Sequence, residues 1–487
     1  MPHLRRFIRV FLTSLIVGVC SPATTFSGEA APPPRTEPAT TGNAAARLKT
    51  DIDTILTRSF FPGTNASIKV VSLRDGDTIY EFNPRLLLVP ASTQKLVTAA
   101  AAVSLLGADR EVATTVALDA GRKVYLKGCG DSLLSEADLA ALAAAAASRM
   151  DRGREYSLSA DVSCFDDLYR GKGWMWDDDE FLISPLSANQ NAVTVLVQPG
   201  SREGAPGVVT TKPATSYYTV ENRVRTGSRS EGNSIKAARH PADRENVVTV
   251  SGVIPLGGAP VVKYASVWRP ELMALTLFRD ALQAQGVKVA EMSTAPAPAG
   301  ATVVARVPRR VEELVRVALK TSDNLTAESL LKLIGLHTGG PPGSGEGGLA
   351  AVRGYLERQG IATENLVLAD GSGLSRYNLS SAEAMTQLLR GVHRDRELYR
   401  IFHEALPVAG KDGTLKDRMK GSCAGGNLRG KTGNMSGVSA LAGYVSTADG
   451  EPLAFAVTIQ NYAGSGRHAR EVQDRIGALL CGFRRAP

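Results

Sequence analysis

Ser92 and Lys95 stand three residues apart and carry the parts needed for nucleophilic catalysis. A serine hydroxyl is a poor nucleophile until a neighbour takes its proton. A lysine one helical turn further on shares its face, and burial or nearby cations can lower its pKa enough for it to act as that base. Two more short motifs follow in order, Ser322-Asp323-Asn324 and Lys431-Thr432-Gly433. Ser322 offers a second hydroxyl to pass a proton to a leaving amine, and Asn324 a carboxamide to hold the lysine and a substrate amide. Lys431 and Thr432 offer a cation and a hydroxyl to an anionic substrate. Gly433 lets a substrate backbone come close. The backbone N–H of Asn434, with that of Ser92, would form an oxyanion hole. Each motif alone is cheap; the ordered set of three is the signal.

The elements that must position these groups are legible around them. Pro90 discourages helix before it, so the apolar helix reaching to Leu106 should begin close to Ser92, whose hydroxyl then meets the free N–H groups of a helix N-terminus. Ser322-Asp323-Asn324 falls at a break between helical runs, where the same residue types also serve as ordinary helix caps. Lys431-Thr432-Gly433 precedes Ser439 to Val445 and reads as an edge strand turning into its neighbour; such an edge can align an extended peptide across a serine. Decoys exist. Ser329 to Lys332 repeats the first spacing but falls mid-helix, as on a solvated helix face. Ser187 to Asn189 repeats the second. Gly130-Asp131-Ser132-Leu133 matches an esterase motif, yet none of the six histidines has the aspartate three residues earlier that such an enzyme uses.

The whole chain bounds the class. Its 487 residues suffice for two or three domains with real cores. The net charge of +8 is scattered, with no run of five Lys or Arg and no basic stripe with aromatics, which speaks against nucleic acid and fits an anionic cell-wall polymer. Arg5, Arg6 and Arg9 lead into the apolar stretch Phe7 to Cys20, followed by small residues. Residues 1–23 thus read as a secretory signal, too short and too interrupted to span a bilayer, so membrane association is at most peripheral. Residues 24–44, rich in Pro, Ala, Thr and Gly, read as a linker. Cleavage would leave Cys129, Cys164, Cys423 and Cys481, an even count that permits two disulfides in an exported protein. Cys129 with Cys164 is one candidate pair and Cys423 with Cys481 the other; free buried thiols are the alternative. Their spacing matches no zinc pattern, and no metal or organic cofactor is implied. From about residue 113 short β-like runs alternate with an Ala-rich helix, Glu136 to Met150, and residues 199–245 are polar and rich in Gly, Ser and Arg.

Taken together, the three motifs resemble those of the D-alanyl-D-alanine carboxypeptidases/endopeptidases of the class C low-molecular-mass penicillin-binding proteins, the penicillin-binding protein 4 group. The likeness runs from about residue 50 to 480. About 230 residues separate Ser92 from Ser322, far more than in β-lactamases, as in this family, where extra domains lie between the motifs. Gly128 to Asp131, Leu186 to Asn191, Asp370 to Ser375 and Asp412 to Leu415 are also similar. The resemblance implies an α/β (α+β) catalytic domain of the serine DD-peptidase/β-lactamase type, an antiparallel sheet flanked by helices, formed by residues 45–112 and 305–487. Residues 113–304 would be a β-rich insertion with a nested β subdomain near 199–255. It implies a periplasmic, exported serine peptidase, inhibited by β-lactams, acting on peptidoglycan stem peptides. Ser92, Lys95, Ser322, Asn324 and Lys431 would be catalytic, and Lys431, Thr432, Gly433 and Asn434 would bind substrate. Two departures matter. The family's usual Gly-Asp-Pro reads Gly130-Asp131-Ser132 here. Asn434 stands where the family usually has Thr or Ser to grip a terminal carboxylate, which puts carboxypeptidase efficiency in question and favours endopeptidase cleavage.

Overall fold

The computed structural model describes residues 41–59, 63–175, 181–240 and 244–485. The signal-like stretch 1–23 and all but the last residues of the linker lie outside them; helix α1 (Thr41–Ser59) already starts within the stretch read as linker. The chain continues through β1 (Asn65–Ser72), β2 (Thr78–Phe82), a 3-10 turn at Ala91–Thr93 and α2 (Gln94–Leu106). Next come β3 (Glu111–Leu118), β4 (Lys123–Lys127), α3 (Glu136–Ala147), β5 (Glu155–Asp161), β6 (Ala192–Gln198), β7 (Val208–Lys212) and β8 (Thr219–Gly227). They are followed by β9 (Lys236–Arg239), β10 (Val247–Pro255), β11 (Val261–Ser266), α4 (Pro270–Ala284), β12 (Lys288–Thr294) and β13 (Thr302–Arg310). The last part holds α5 (Val311–Lys320), α6 (Asn324–Gly339), α7 (Gly345–Arg358), α8 (Ala382–Arg394) and α9 (Arg396–Ala405). It ends with β14 (Arg429–Met435), β15 (Val438–Ser446), β16 (Pro452–Gln460) and α10 (Arg467–Gly482).

The two ends of the chain build one antiparallel sheet, in the order β14-β15-β16-β1-β2. β15 is buried along nearly all its length, because helices cover both faces. α2, α5 to α9 and one face of the sheet share one apolar core. α1 and α10 close the other face over Ile68, Val70, Phe455 and Val457. α2 is buried almost all round, as its Ala-rich, uncharged run after Lys95 requires.

The middle of the chain forms a mixed five-stranded sheet, β12-β5-β4-β3-β13, with α3 and α4 packed in its core. Because β13 pairs with β3 as far as Arg310 and Glu111, this sheet runs past the expected limits 113 and 304. Two three-stranded sheets, β8-β10-β9 and β11-β6-β7, are nested within it. Their strands run from Ala192 to Ser266, wider than 199–255, because β6 and β11, on either side of that stretch, pair with each other and β6 pairs with β7. A disulfide joins Cys129 and Cys164. Cys423 is exposed and Cys481 buried, both as thiols.

Candidate active site

Three elements converge on Ser92. The first is its own turn. Ala91 takes a left-handed conformation (φ 47°) and Thr93 Oγ1 donates to the Pro90 carbonyl at 2.7 Å, so the serine leaves a tight corner just before α2. Strained backbone of this kind costs about 1–3 kcal/mol and persists only where its surroundings over-determine it. Here the loop at Gly373 presses on the corner: a Cβ on Gly373 would stand 1.9 Å from the Ala91 carbonyl oxygen. Gly433 is equally constrained from the other side, since a Cβ there would stand 2.8 Å from the Pro90 carbonyl oxygen. The close approach that demands glycine at 433 is therefore to the serine corner itself.

Lys95, on the first turn of α2, is fully buried. Its Nζ lies 3.0 Å from Ser92 Oγ and donates to Asn324 Oδ1 and to the Ser372 carbonyl, each at 2.6 Å. The second element is the break before α6. Ser322 has φ 67°, and Asp323 is the helix cap, accepting from the Thr326 N–H at 2.6 Å. The capping role and the catalytic placement coexist: the cap fixes the turn that aims Ser322 and Asn324 inward. The third element is β14, at the free edge of the sheet. Val408 bridges Arg429 on the outer side of β14, covering that end. Lys431 is fully buried, and its Nζ donates to Ser322 Oγ at 2.8 Å and to the Thr432 carbonyl at 2.7 Å. Burial first, and the charge of Lys95 second, push the Lys431 pKa well below its ordinary value. Two ammonium groups cannot both be held cheaply in so dry a site, so the pair favours losing a proton. Thr432 Oγ1 bonds Thr414 Oγ1 at 2.8 Å, and Asn434 Oδ1 accepts from Ser439 Oγ at 3.5 Å.

Behind the lysine stand the Asp370 to Ser375 stretch and Glu328, a residue that sequence reasoning did not single out. Glu328, one turn beyond Asn324 on α6, is fully buried and accepts from the Gly371 and Ser372 N–H groups at 3.0 and 2.7 Å. It thereby aims the Ser372 carbonyl at Lys95. Burial raises the Glu328 pKa to about 8, reinforced by Asp370 and opposed by the Ser372 N–H and Lys95. Asp370 ties the loop together, accepting from Gly373, Ser375, Asn378 and Trp174 Nε1 at 2.7 to 2.9 Å. A single carboxylate inside the apolar run Leu325 to Leu336 was the available signal for Glu328.

The decoys fall elsewhere. Ser329 and Lys332 are not on a solvated face: both are buried on α6, which packs against α2, α5 and α7, with the loop at Asp166 to Leu168 over Lys332. Ser329 Oγ has no partner among the described residues, and Lys332 pairs with Asp166 and the Leu168 carbonyl. Ser187 donates to the Ser184 carbonyl at 3.1 Å. Ser132 is buried against Thr326 Oγ1 at 2.9 Å. Beside Ser92 opens a cleft of about 260 Å³, lined by Ser322, Thr414, Thr432 and Asn434 and by two arginines, Arg418 and Arg470. Among the described residues there is no group of His, Cys, Asp and Glu fit to hold a metal ion, and no helix long and apolar enough to cross a membrane.

Residues 48–481 match the D-Ala-D-Ala carboxypeptidase 3 (S13) family. The D-alanyl-D-alanine carboxypeptidase of Actinomadura sp. (strain R39) is 36% identical over 469 residues, which is 91% of this chain and 86% of that one. The D-alanyl-D-alanine carboxypeptidase DacB of Haemophilus influenzae is 26% identical over 431 residues, 84% of this chain and 88% of that one. The crystal structure of penicillin binding protein 4 from Haemophilus influenzae aligns with a TM-score of 0.76 at 24% identity, covering 88% of this chain and 98% of that one. That likeness is one of fold.

Proposed function

Because this chain belongs to the D-Ala-D-Ala carboxypeptidase 3 (S13) family, we propose that Ser92 is the nucleophile of its serine-type D-Ala-D-Ala carboxypeptidase activity and Lys95 the base. The observation that carries this is the bond from buried Lys95 Nζ to Ser92 Oγ at 3.0 Å, locked by Asn324 and the Ser372 carbonyl. Ser92 Oγ attacks the carbonyl of the penultimate D-alanine as its proton passes to Lys95. The backbone N–H groups of Ser92 and Asn434 receive the oxyanion. Ser322, held 2.8 Å from Lys431 Nζ, relays a proton to the leaving amine. Water then hydrolyses the ester by the same groups in reverse. The peptide lies along the free edge of β14, where Thr432, Gly433 and Asn434 offer backbone pairing and Lys431 sets a positive field.

The same site cleaves the cross-linked form of the stem peptide, an endopeptidase action, and is acylated by penicillin. The substrate lies outside the cytoplasm, and residues 1–23 export the chain, in a cell with a periplasm to that compartment. The catalytic unit comprises about 45–110 and 311–487, with the insertion between them running from the start of β3 at Glu111 to the end of β13 at Arg310. Covalent labelling with fluorescent penicillin tests the core of this reading. Wild type and Ser329→Ala should label and Ser92→Ala should not. An unlabelled wild type would leave a peptidoglycan-binding protein without acylating activity, and loss in Ser329→Ala alone would move the nucleophile.

A further inference from the structure

Two lysines stand behind this cleft and two arginines line it. Lys95 and Lys431 are buried within the serine network. Arg418 is committed: its guanidinium donates to Asp474 Oδ1 at 2.6 and 2.9 Å, to Gln473 Oε1 at 3.1 Å and to the Arg470 carbonyl at 3.1 Å. Arg470 is different. It lines the same cleft as Ser92 and Asn434, is half-buried, and makes no ion pair among the described residues. Among the described residues no carboxylate lines the cleft. Helix stability does not explain it either. Arg470 lies in the opening turns of α10, whose first turn has no acidic residue, and a cation is disfavoured at that end of a helix.

The neutral groups near it are already engaged. Thr432 Oγ1 bonds Thr414, Asn434 Oδ1 bonds Ser439, and Ser439 Oγ is in turn held by Gln473 Nε2 at 3.1 Å. Lys431 Nζ is turned to Ser322 and to the carbonyl of Thr432. A guanidinium presents paired N–H donors that match a carboxylate, and desolvation within a cleft strengthens the bond. We infer that Arg470 binds the free α-carboxylate of the substrate residue that leaves, with Arg418 as the positioning residue that fixes the opening turns of α10 through the Arg470 carbonyl. Arg470 thereby makes a carboxylate one residue beyond the scissile bond the feature this cleft selects. This rests on the assignment of Ser92 as the nucleophile.

The test compares kcat/KM for a peptide ending in D-Ala-D-Ala with that for its C-terminal amide, in wild type, Arg470→Ala and Arg470→Lys. The wild type should prefer the free acid. Arg470→Ala should lose about 10- to 100-fold on the free acid, and the acid-over-amide ratio should collapse towards one, with Arg470→Lys recovering part of it. Because the ratio is taken within one protein, a variant that is partly unfolded still reports it. An unchanged ratio in Arg470→Ala, or an equal fall on both substrates, overturns the inference while leaving Ser92 in place. A wild type that turns over neither substrate removes the assignment of Ser92 and this inference with it.

Discussion

The cleft around Ser92 and the nested sheets between Ala192 and Ser266 spend charge in opposite ways. Behind the cleft, Lys95, Lys431, Glu328 and Asp370 are all buried, each bonded to backbone or to another member of the network. Ala91 and Ser322 hold left-handed backbone there. In the nested sheets most ion pairs lie at the surface, such as Arg223 with Glu221 at 2.6 Å, whose side chains are 67% and 47% exposed, while Arg239 on β9 is buried with its Nη1 on the His240 carbonyl at 2.9 Å. Alternate positions of β11 and β7 face solvent, Tyr264 among them. Buried charge is costly unless every lone pair and proton finds a partner, whereas exposed pairs are solvated whether or not they meet. The cleft therefore holds its geometry through a cooperative polar network, and the nested sheets hold theirs through strand pairing and a modest apolar core.

The contrast can be broken at several depths. The largest effect should come from Ser92→Ala, which removes the attacking oxygen; hydrolysis of a D-Ala-D-Ala peptide should fall by at least about 10⁴-fold, read as kcat on folded protein. Ser322→Ala should keep acylation measurable but lower kcat by about 10²- to 10⁴-fold, with the fold intact by circular dichroism. Gly373→Ala would drive a methyl into the Ala91 carbonyl, which is backbone and cannot swing aside. It should lower unfolding stability by about 1–3 kcal/mol in urea titration and depress acylation as well, since the displaced corner carries Ser92.

Two further experiments sharpen the comparison. Glu328 titrates near 8 in the folded cleft against an ordinary value of 4.5, so over that window the native state holds more protons than the unfolded chain. Its contribution to stability is full below 4.5 and is lost as the pH rises through about 8. Glu328→Gln keeps an acceptor for the Gly371 and Ser372 N–H groups and cannot ionise. It should flatten this part of the pH dependence, seen as urea midpoints that no longer drop between those values. A variant with the wild-type slope would place the titration elsewhere. Glu221→Gln should be the mildest change, under about 1 kcal/mol, with no effect on penicillin labelling; a larger loss would mean that the surface pair belongs to a network.

The polar interior also explains the way the middle of the chain meets the segments that carry the three motifs. Trp174 Nε1 reaches Asp370, Gln190 Nε2 reaches Asp323 at 3.3 Å, and Ser132 bonds Thr326. Asn189, Gln190 and Asn191 each hold positive φ to make that approach. Residues of the middle of the chain thus wall the serine network on this side.

The sequence by itself determined the motif order and, through the resemblance those motifs carry, the family and the antiparallel sheet flanked by helices; Pro90 and the strand pattern after Lys431 are local signals for the elements around them. It also set out Cys129 and Cys164 as a pair that the structure joins. Only the tertiary structure decided the rest. The limits of the insertion depend on β13 finding β3 across about 190 residues, which no local pattern records. Ser329 and Lys332 looked solvated because their helix was read without the elements that pack on it. Glu328, Arg418 and Arg470 belong to no motif, and with Asp370, whose stretch carries only a resemblance, they come from four separate stretches of chain. Their chemistry comes from burial and from which partners the fold brings within 3 Å, quantities that exist only once distant segments have met.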